Sequence, residues 1–213
     1  MYKQFQKEYF FDLSNFEFRD IFDNVNFVWE VLPKIEKYID SLFQKGVLVA
    51  NYKDRKNVFI EETSIVHESA EIIGSAIIGK NCEIRHGSFI RGNVILGDNV
   101  TVHHGAEIKQ SIFLNNSFAP HVGYVGDSII GNNVNIAAGV ILANFRLDKK
   151  SVSVGSGPER IDTRLRKFGC IIGDNSSIGV NSVINPGAIL GKRAIVYPLT
   201  SVTGVHEDDE IIR

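Results

Sequence analysis

The sequence predicts a mainly β protein, a single-stranded parallel β-helix with a short N-terminal helical segment. The first observation behind this is a repeat: an aliphatic residue stands at every sixth position through Ile60, Val66, Ile72, Ile78, Ile84, Ile90, Leu96, Val102 and Ile108. A period of six is a multiple of two but not of 3.6, so these side chains all return to one side of extended backbone. The second is what lies between them. Four residues on comes a small or slender residue (Ala70, Ala76, Cys82, Ser88, Val94, Val100, Ala106), and Gly, Asn and Asp fill the rest, as in "IIGKNCEI", "ILGDNVTV" and "IIGNNVNI". These are turn residues that tolerate unusual backbone angles. Each hexad makes one short side, and three make a triangular coil.

The elements follow in order. Residues 1–56 lie outside the repeat and are expected to form a helical cap or extension. In "NFVWEVLPKIEKYIDSLFQKG" the residues Val28, Val31, Leu32, Ile35, Ile39, Leu42 and Phe43 fall near helical spacing, Gly46 ends the helix and Trp29 belongs to the core. Repeat stacks need capped ends, so this helix is expected over one end of the solenoid. Residues 57–205 form the β-helix. Its hexads continue through Phe113, Ala119, Val125, Ile130, Ile136 and Leu142, with two steps shortened to five residues at 108–113 and 125–130, and resume at Ile172, Ile178, Ile184, Leu190, Val196 and Val202. Residues 146–168, "RLDKKSVSVGSGPERIDTRLRKF", interrupt them with seven basic residues in 23. An insertion of that length is uncommon unless functional or mobile, and it reads as a loop over a binding cleft. Residues 206–213 are a short tail.

The 213 residues, 44% of them hydrophobic, suffice for one sizeable core and a small appendage. With 23 Lys plus Arg against 25 Asp plus Glu there is no broad basic field, so nucleic acid is not an expected partner. Cys82 and Cys170 are too few and too isolated for a disulfide framework or a CxxC metal site. No secretory signal or long apolar span opens the chain, so membrane insertion is not expected and the cytoplasm is the expected compartment.

Three hexads per coil place residues 18 apart directly above one another, at about 4.8 Å. Arg91 follows Ile90 and Lys109 follows Ile108, so two cations stack. Either an anion such as a phosphate lies between them or they splay apart into solvent. His67, His86, His103 or His104, and His121 recur at intervals of 17 to 19, about one imidazole per coil. Such a column invites a metal. Gamma-class carbonic anhydrases share this fold and bind zinc through histidines, two of them five residues apart; here the residue five after His121 is Gly126, so no metal is expected. His67, His86, His103 and His104 are read as structural, on an outward face or a trimer interface.

Read whole, "KQSIFLNNSFAPHVGYVGDSIIGNNVNIAAGVILANF" resembles the C-terminal acetyltransferase domain of the bifunctional N-acetylglucosamine-1-phosphate uridyltransferase/glucosamine-1-phosphate acetyltransferase family, whose pattern is close to G-H-x-x-Y-x-G-D-x-x-I-G-x-x-x-N-I-G-A-G. The resemblance covers about residues 57–205. It implies a left-handed coil, homotrimers with active sites between subunits, and acetyl transfer from acetyl-CoA as co-substrate to an amino-sugar phosphate or a related sugar nucleotide. By the same resemblance His121 is the general base. Arg91 and Lys109 contact the phosphate, Tyr124 matches a family tyrosine, Asn135 and Asn144 contact the sugar and help place the acyl group, Lys167 matches a substrate lysine, and Val180 stands where a backbone group contacts the cofactor. The chemistry suits these types: an ammonium is no nucleophile, and a base titrating near neutrality must free the amine.

The departures are specific. Phe145 replaces a family tyrosine, Val180 a serine, and "VTGVHEDDEIIR" ends before the family's basic arm that helps hold coenzyme A. Residues 1–56 are too few for the family's nucleotide-binding domain, so uridyl transfer and its magnesium are not expected. The competing expectation is a non-catalytic trimer that binds a sugar phosphate or sugar nucleotide.

Overall fold

The structure, a computed structural model, describes residues 5–213; the first four residues of the 1–56 segment lie outside the described residues. Short strands stack into three parallel sheets, each one face of a triangular coil. Face A has eight strands from Val58–Ile60 to Val205–His206, face B eight from Ile65–Val66 to Ile211–Ile212, and face C seven from Glu71–Ile73 to Ser201–Val202. Consecutive hexads fall on faces A, B and C in turn, so the sixth-position aliphatics all point inward: Ile72, Ile78, Ile84, Ile90, Leu96, Val102 and Ile108 belong to one buried cluster. Strand pairing runs at an offset of 18, as in Phe89↔Glu107 and Ile90↔Ile108, which puts Lys109 directly above Arg91. The two five-residue steps drop this offset to 17, as in Tyr124↔Glu107. Each removes one residue from the corner between faces C and A. A Gly92–Asn93 pair at positive φ in one coil becomes Gln110 alone, then Asp127 alone, in the next two.

The corner between faces A and B explains the recurrent Gly-x-Asn. Asn81, Asn99, Asn116, Asn133 and Asn175 take φ between 53° and 64°, where asparagine is among the few residues at ease. Before the last four of them the preceding side chain accepts a hydrogen bond from the backbone of the coil below, as Asp98 Oδ1 does from Lys80 N at 2.8 Å and Asp174 Oδ1 from Asn132 N at 2.7 Å.

The N-terminal segment departs from expectation in two ways. Pro33 has no amide hydrogen to donate, and the expected helix is split into a 3₁₀ stretch, Val28–Lys34, and an α-helix, Ile35–Gln44. That helix ends in a Schellman motif at Gly46 (φ 69°), with Gly46 N donating to Phe43 O and Val47 N to Leu42 O. The segment also does not cap an end. It lies along face A, where Phe10, Phe11, Phe22, Trp29, Leu32 and Ile35 form one buried cluster with the outward-pointing Ile77, Ile95, Ile112, Ile129, Ile171 and Ile189. The cause is in those isoleucines: an outer face of six apolar side chains, each worth about 1.5–3 kcal/mol when buried, demands a cover along its whole length.

The insertion is likewise tied down. Ser153–Val154 pairs antiparallel with Ile161–Asp162, and alternation divides the ribbon into two faces. Val152 and Val154 are buried in the aromatic layer, with Ile161 and Leu165 packed against it, while Arg164 and Arg166 point outward and are exposed. The expected tail is a further coil: Ile189 pairs with Val205 and Ile195 with Ile211. Among the described residues no helix is long and apolar enough to cross a membrane.

Candidate functional site

The predicted site residues other than Asn135 fall on two corners of one chain. Arg91 and Lys109 end strands of face C at its corner with face A, joined there by Tyr124, Asn144 and Lys167. The sequence left open whether an anion lies between the two cations. In the structure each meets a carboxylate of this chain: Arg91 Nε lies 2.5 Å from Glu107 Oε1, and Lys109 Nζ 2.9 Å from Asp127 Oδ2. The second pair is nearly enclosed, its side chains 15% and 8% exposed, whereas the first is half open. Asn144 Nδ2 donates to the Tyr124 hydroxyl at 3.0 Å and also to Asp127 Oδ2. Gly126 makes this convergence possible: a Cβ there would stand 2.5 Å from the Tyr124 hydroxyl oxygen and 2.6 Å from Asn144 Nδ2. Burial, with Asp127 close by, pushes the Tyr124 phenol above its ordinary value.

Lys167 bridges Phe145 in antiparallel fashion, and open cavities flank that bridge. One of about 520 Å³ is lined by Ala143, Phe145, Arg146, Leu147, Asp148, Asn185 and Pro186. The other, about 310 Å³, is lined by Leu32, Pro33, Gln110, Asp127, Leu165, Arg166 and Lys167. The insertion therefore walls a cleft beside Asn144. The Arg166 guanidinium sits 5.9 Å over the Phe145 ring. Among the described residues Lys167 meets no carboxylate within salt-bridge distance.

His121 occupies the other corner, between faces B and C, after the strand Phe118–Ala119 and before Tyr124–Gly126. It lies about the length of one face from Lys109, on the order of 10–15 Å away. Backbone bonds from Val122 N to His104 O, Gly139 N to His121 O and Asn181 N to Ala138 O stack His104, His121, Ala138 and Val180 in one column. Val180 thus shares the histidine's corner two coils on, and its side chain is 43% exposed. Asn135 is exposed on face B between Phe118 and Ser177.

The His121 ring is held on two sides. His103 stacks on it at 3.7 Å between centroids and 10° between planes, and His104 Nδ1 lies 3.1 Å from His121 Nδ1. Burial, then the neighbouring His104 and Arg85, lower the His121 pKa below the usual 6.5. Burial acts more strongly on His103, helped by His121 and Arg85, and brings it to about 4. Val122 next door is a β-branched residue at φ 45°, where the adjoining coils use Gly105 and Gly139. Such a residue costs on the order of 1–2 kcal/mol in that conformation, so strain is stored beside the histidine. Sequence reasoning passed over Asp127, Glu107, His103 and His104 as partners, although the coil offset places each beside its neighbour.

Below pH 6.5 the unfolded chain takes up protons that His103 and His121 refuse in the native state, so the stability is present above pH 6.5 and is lost as the pH falls toward about 4. Urea unfolding across that window should show a decline with a slope of at most about 1.4 kcal/mol per pH unit for each proton, shallower in His103→Asn. A slope unchanged in that variant would contradict the assignment.

Known proteins share this architecture. Residues 72–157 match the family described as the GMPPB C-terminal domain. The chain is 36% identical over 192 residues to the uncharacterized acetyltransferase YaiX of Escherichia coli O6:K15:H31 (strain 536 / UPEC), covering 79% of this chain and 81% of that one. It is 33% identical over 186 residues to the bifunctional protein GlmU of Methanococcus maripaludis (strain C5), covering 86% of this chain but 45% of that protein. The chain thus spans less than half of that bifunctional relative. Among solved structures the polysialic acid O-acetyltransferase OatWY superposes with a TM-score of 0.52 at 21% identity, covering 70% of this chain and 76% of that one, a likeness of fold.

Proposed function

The chain belongs to the hexapeptide-repeat acetyltransferase family of GlmU-like proteins, and from that premise we propose that it transfers an acetyl group from acetyl-CoA to the amine of an amino-sugar phosphate or a related sugar nucleotide. The observation that carries this reading is the setting of His121: a histidine kept neutral by its surroundings and held on two sides is a base ready to act near pH 7.

In the proposed reaction His121 takes a proton from the amine as its nitrogen attacks the thioester carbonyl. The C–N bond forms, the tetrahedral intermediate collapses with loss of the C–S bond, and the coenzyme A thiolate leaves and is protonated. A backbone N–H near Asn144 or Phe145 would stabilise the oxyanion. Lys109 is committed to Asp127, so the half-open Arg91 and the exposed Lys167 are the cations best placed to take the phosphate. Tyr124, Asn135 and Asn144 would position the sugar, and the backbone at Val180 the acyl donor. The exposed cations of the insertion, Arg164 and Arg166 among them, suit the phosphates of coenzyme A or of a sugar nucleotide.

Because His121 and the cations stand on different corners, the reading requires a second copy: the histidine corner of one subunit would face the cation corner of its neighbour in a homotrimer. The test is release of free thiol from acetyl-CoA with glucosamine 1-phosphate as acceptor. The protein's own thiols give little background, since burial pushes Cys82 to about 11 and Cys170 to about 12. Release that requires both the sugar and His121 supports the proposal. Sugar-phosphate binding without release would favour the non-catalytic trimer.

A further inference from the structure

We propose that His104 is a positioning residue for His121, holding its Nδ1 so that the lone pair on Nε2 is the one offered to the acceptor. The inference rests on the reading of His121 as base, but its first readout does not depend on turnover. Two ring nitrogens 3.1 Å apart share one hydrogen: one is N–H and donates, the other is bare and accepts. If His104 donated, His121 would carry its own hydrogen on Nε2 and have no lone pair facing outward. If His121 donates, Nε2 is bare. When the amine proton arrives there, the resulting imidazolium donates from Nδ1 to a neutral His104, a charge-assisted bond stronger than the one it replaces. The imidazole of His104 thus takes the orienting part that a carboxylate plays beside many catalytic histidines.

The pair belongs to a column of neighbouring imidazoles. His86 stacks on His104 at 5.1 Å and 9°, and His67 lies beyond at 5.8 Å from His86. Arg85 Nη1 lies 2.9 Å from His103 Nδ1 and Arg85 Nη2 2.8 Å from Glu83. The guanidinium donates to His103, leaving that nitrogen bare and the ring neutral. The charged and titratable groups around the pair are therefore Arg85, Glu83, His67, His86 and His103.

Long-range ¹H–¹⁵N spectra of the full chain at neutral pH read the tautomer directly. The expected result is a protonated Nδ1 and bare Nε2 on His121, with the reverse on His104, and a shift of His121 toward Nε2–H in His104→Ala. In acetyl transfer His104→Ala should lose at least about tenfold in kcat/KM and move the acid limb of the pH profile, while His104→Asn, whose amide oxygen falls near the place of Nδ1, restores most of the rate. An Nε2–H tautomer in the native protein, or a His121 tautomer unmoved in His104→Ala, overturns the proposal. If the tautomers are as expected while His121→Ala keeps full turnover, the pairing stands and the base reading fails.

Discussion

Replacing His121 with alanine is expected to lower thiol release by about 10²–10⁴-fold, the usual loss when a general base is removed. The fold should survive the change. The ring is only half-buried at a corner, its contacts are with His103 and His104, and no core side chain depends on it. A stability change within about 1 kcal/mol in urea unfolding would accompany the loss of rate. A rate within a few-fold of the native protein would mean that the amine is freed by another group, and the role given to this corner would be wrong.

The largest effect on stability is expected from Trp29→Ala, at about 3–5 kcal/mol. The indole stacks on Phe27 at 4.8 Å and 6°, meets Phe5 at 5.4 Å and reaches Phe168, next to the site lysine, at 6.0 Å. It thereby joins the N-terminal layer, the insertion and face A in one cluster. Truncation leaves a cavity among groups that cannot collapse together, because face A is a rigid ladder of strands. Urea unfolding followed by circular dichroism would measure it. A loss below about 1 kcal/mol would mean that the N-terminal layer is an appendage contributing little to the coil.

The coil was legible because its signal is a period. Aliphatics six apart give the inward face, and the offset of 18 by itself brings Lys109 over Arg91. The cover on face A is invisible to a period of six, which follows the inward side chain and ignores the one before it. The doubled aliphatics Ile77–Ile78, Ile95–Leu96, Ile129–Ile130 and Ile171–Ile172 carry that information: a strand apolar on both sides has something packed on each. The carboxylate partners follow from the same geometry, since Glu107 is 16 residues after Arg91 and Asp127 is 18 after Lys109. The split of the site was legible too. His121 is 12 residues from Lys109, two hexads (one of them shortened to five) and one residue more, so the two must stand on different sides of the triangle. A family pattern does not carry this, because it records order along the chain and not which corner each residue occupies.

In the proposed reaction acyl transfer takes place between two copies, one supplying His121 and the other Arg91 and Lys167. It is tested most directly by co-expressing two inactive chains, His121→Ala and the double variant Arg91→Ala with Lys167→Ala. Both Arg91 and Lys167 are partly or fully exposed, so neither substitution uncovers a buried charge. If chains mix at random in a closed ring, about a quarter of the interfaces pair an intact histidine corner with an intact cation corner. Thiol release near a quarter of the native rate is expected from the mixture and almost none from either variant alone. A mixture as inactive as its components would contradict transfer between two copies.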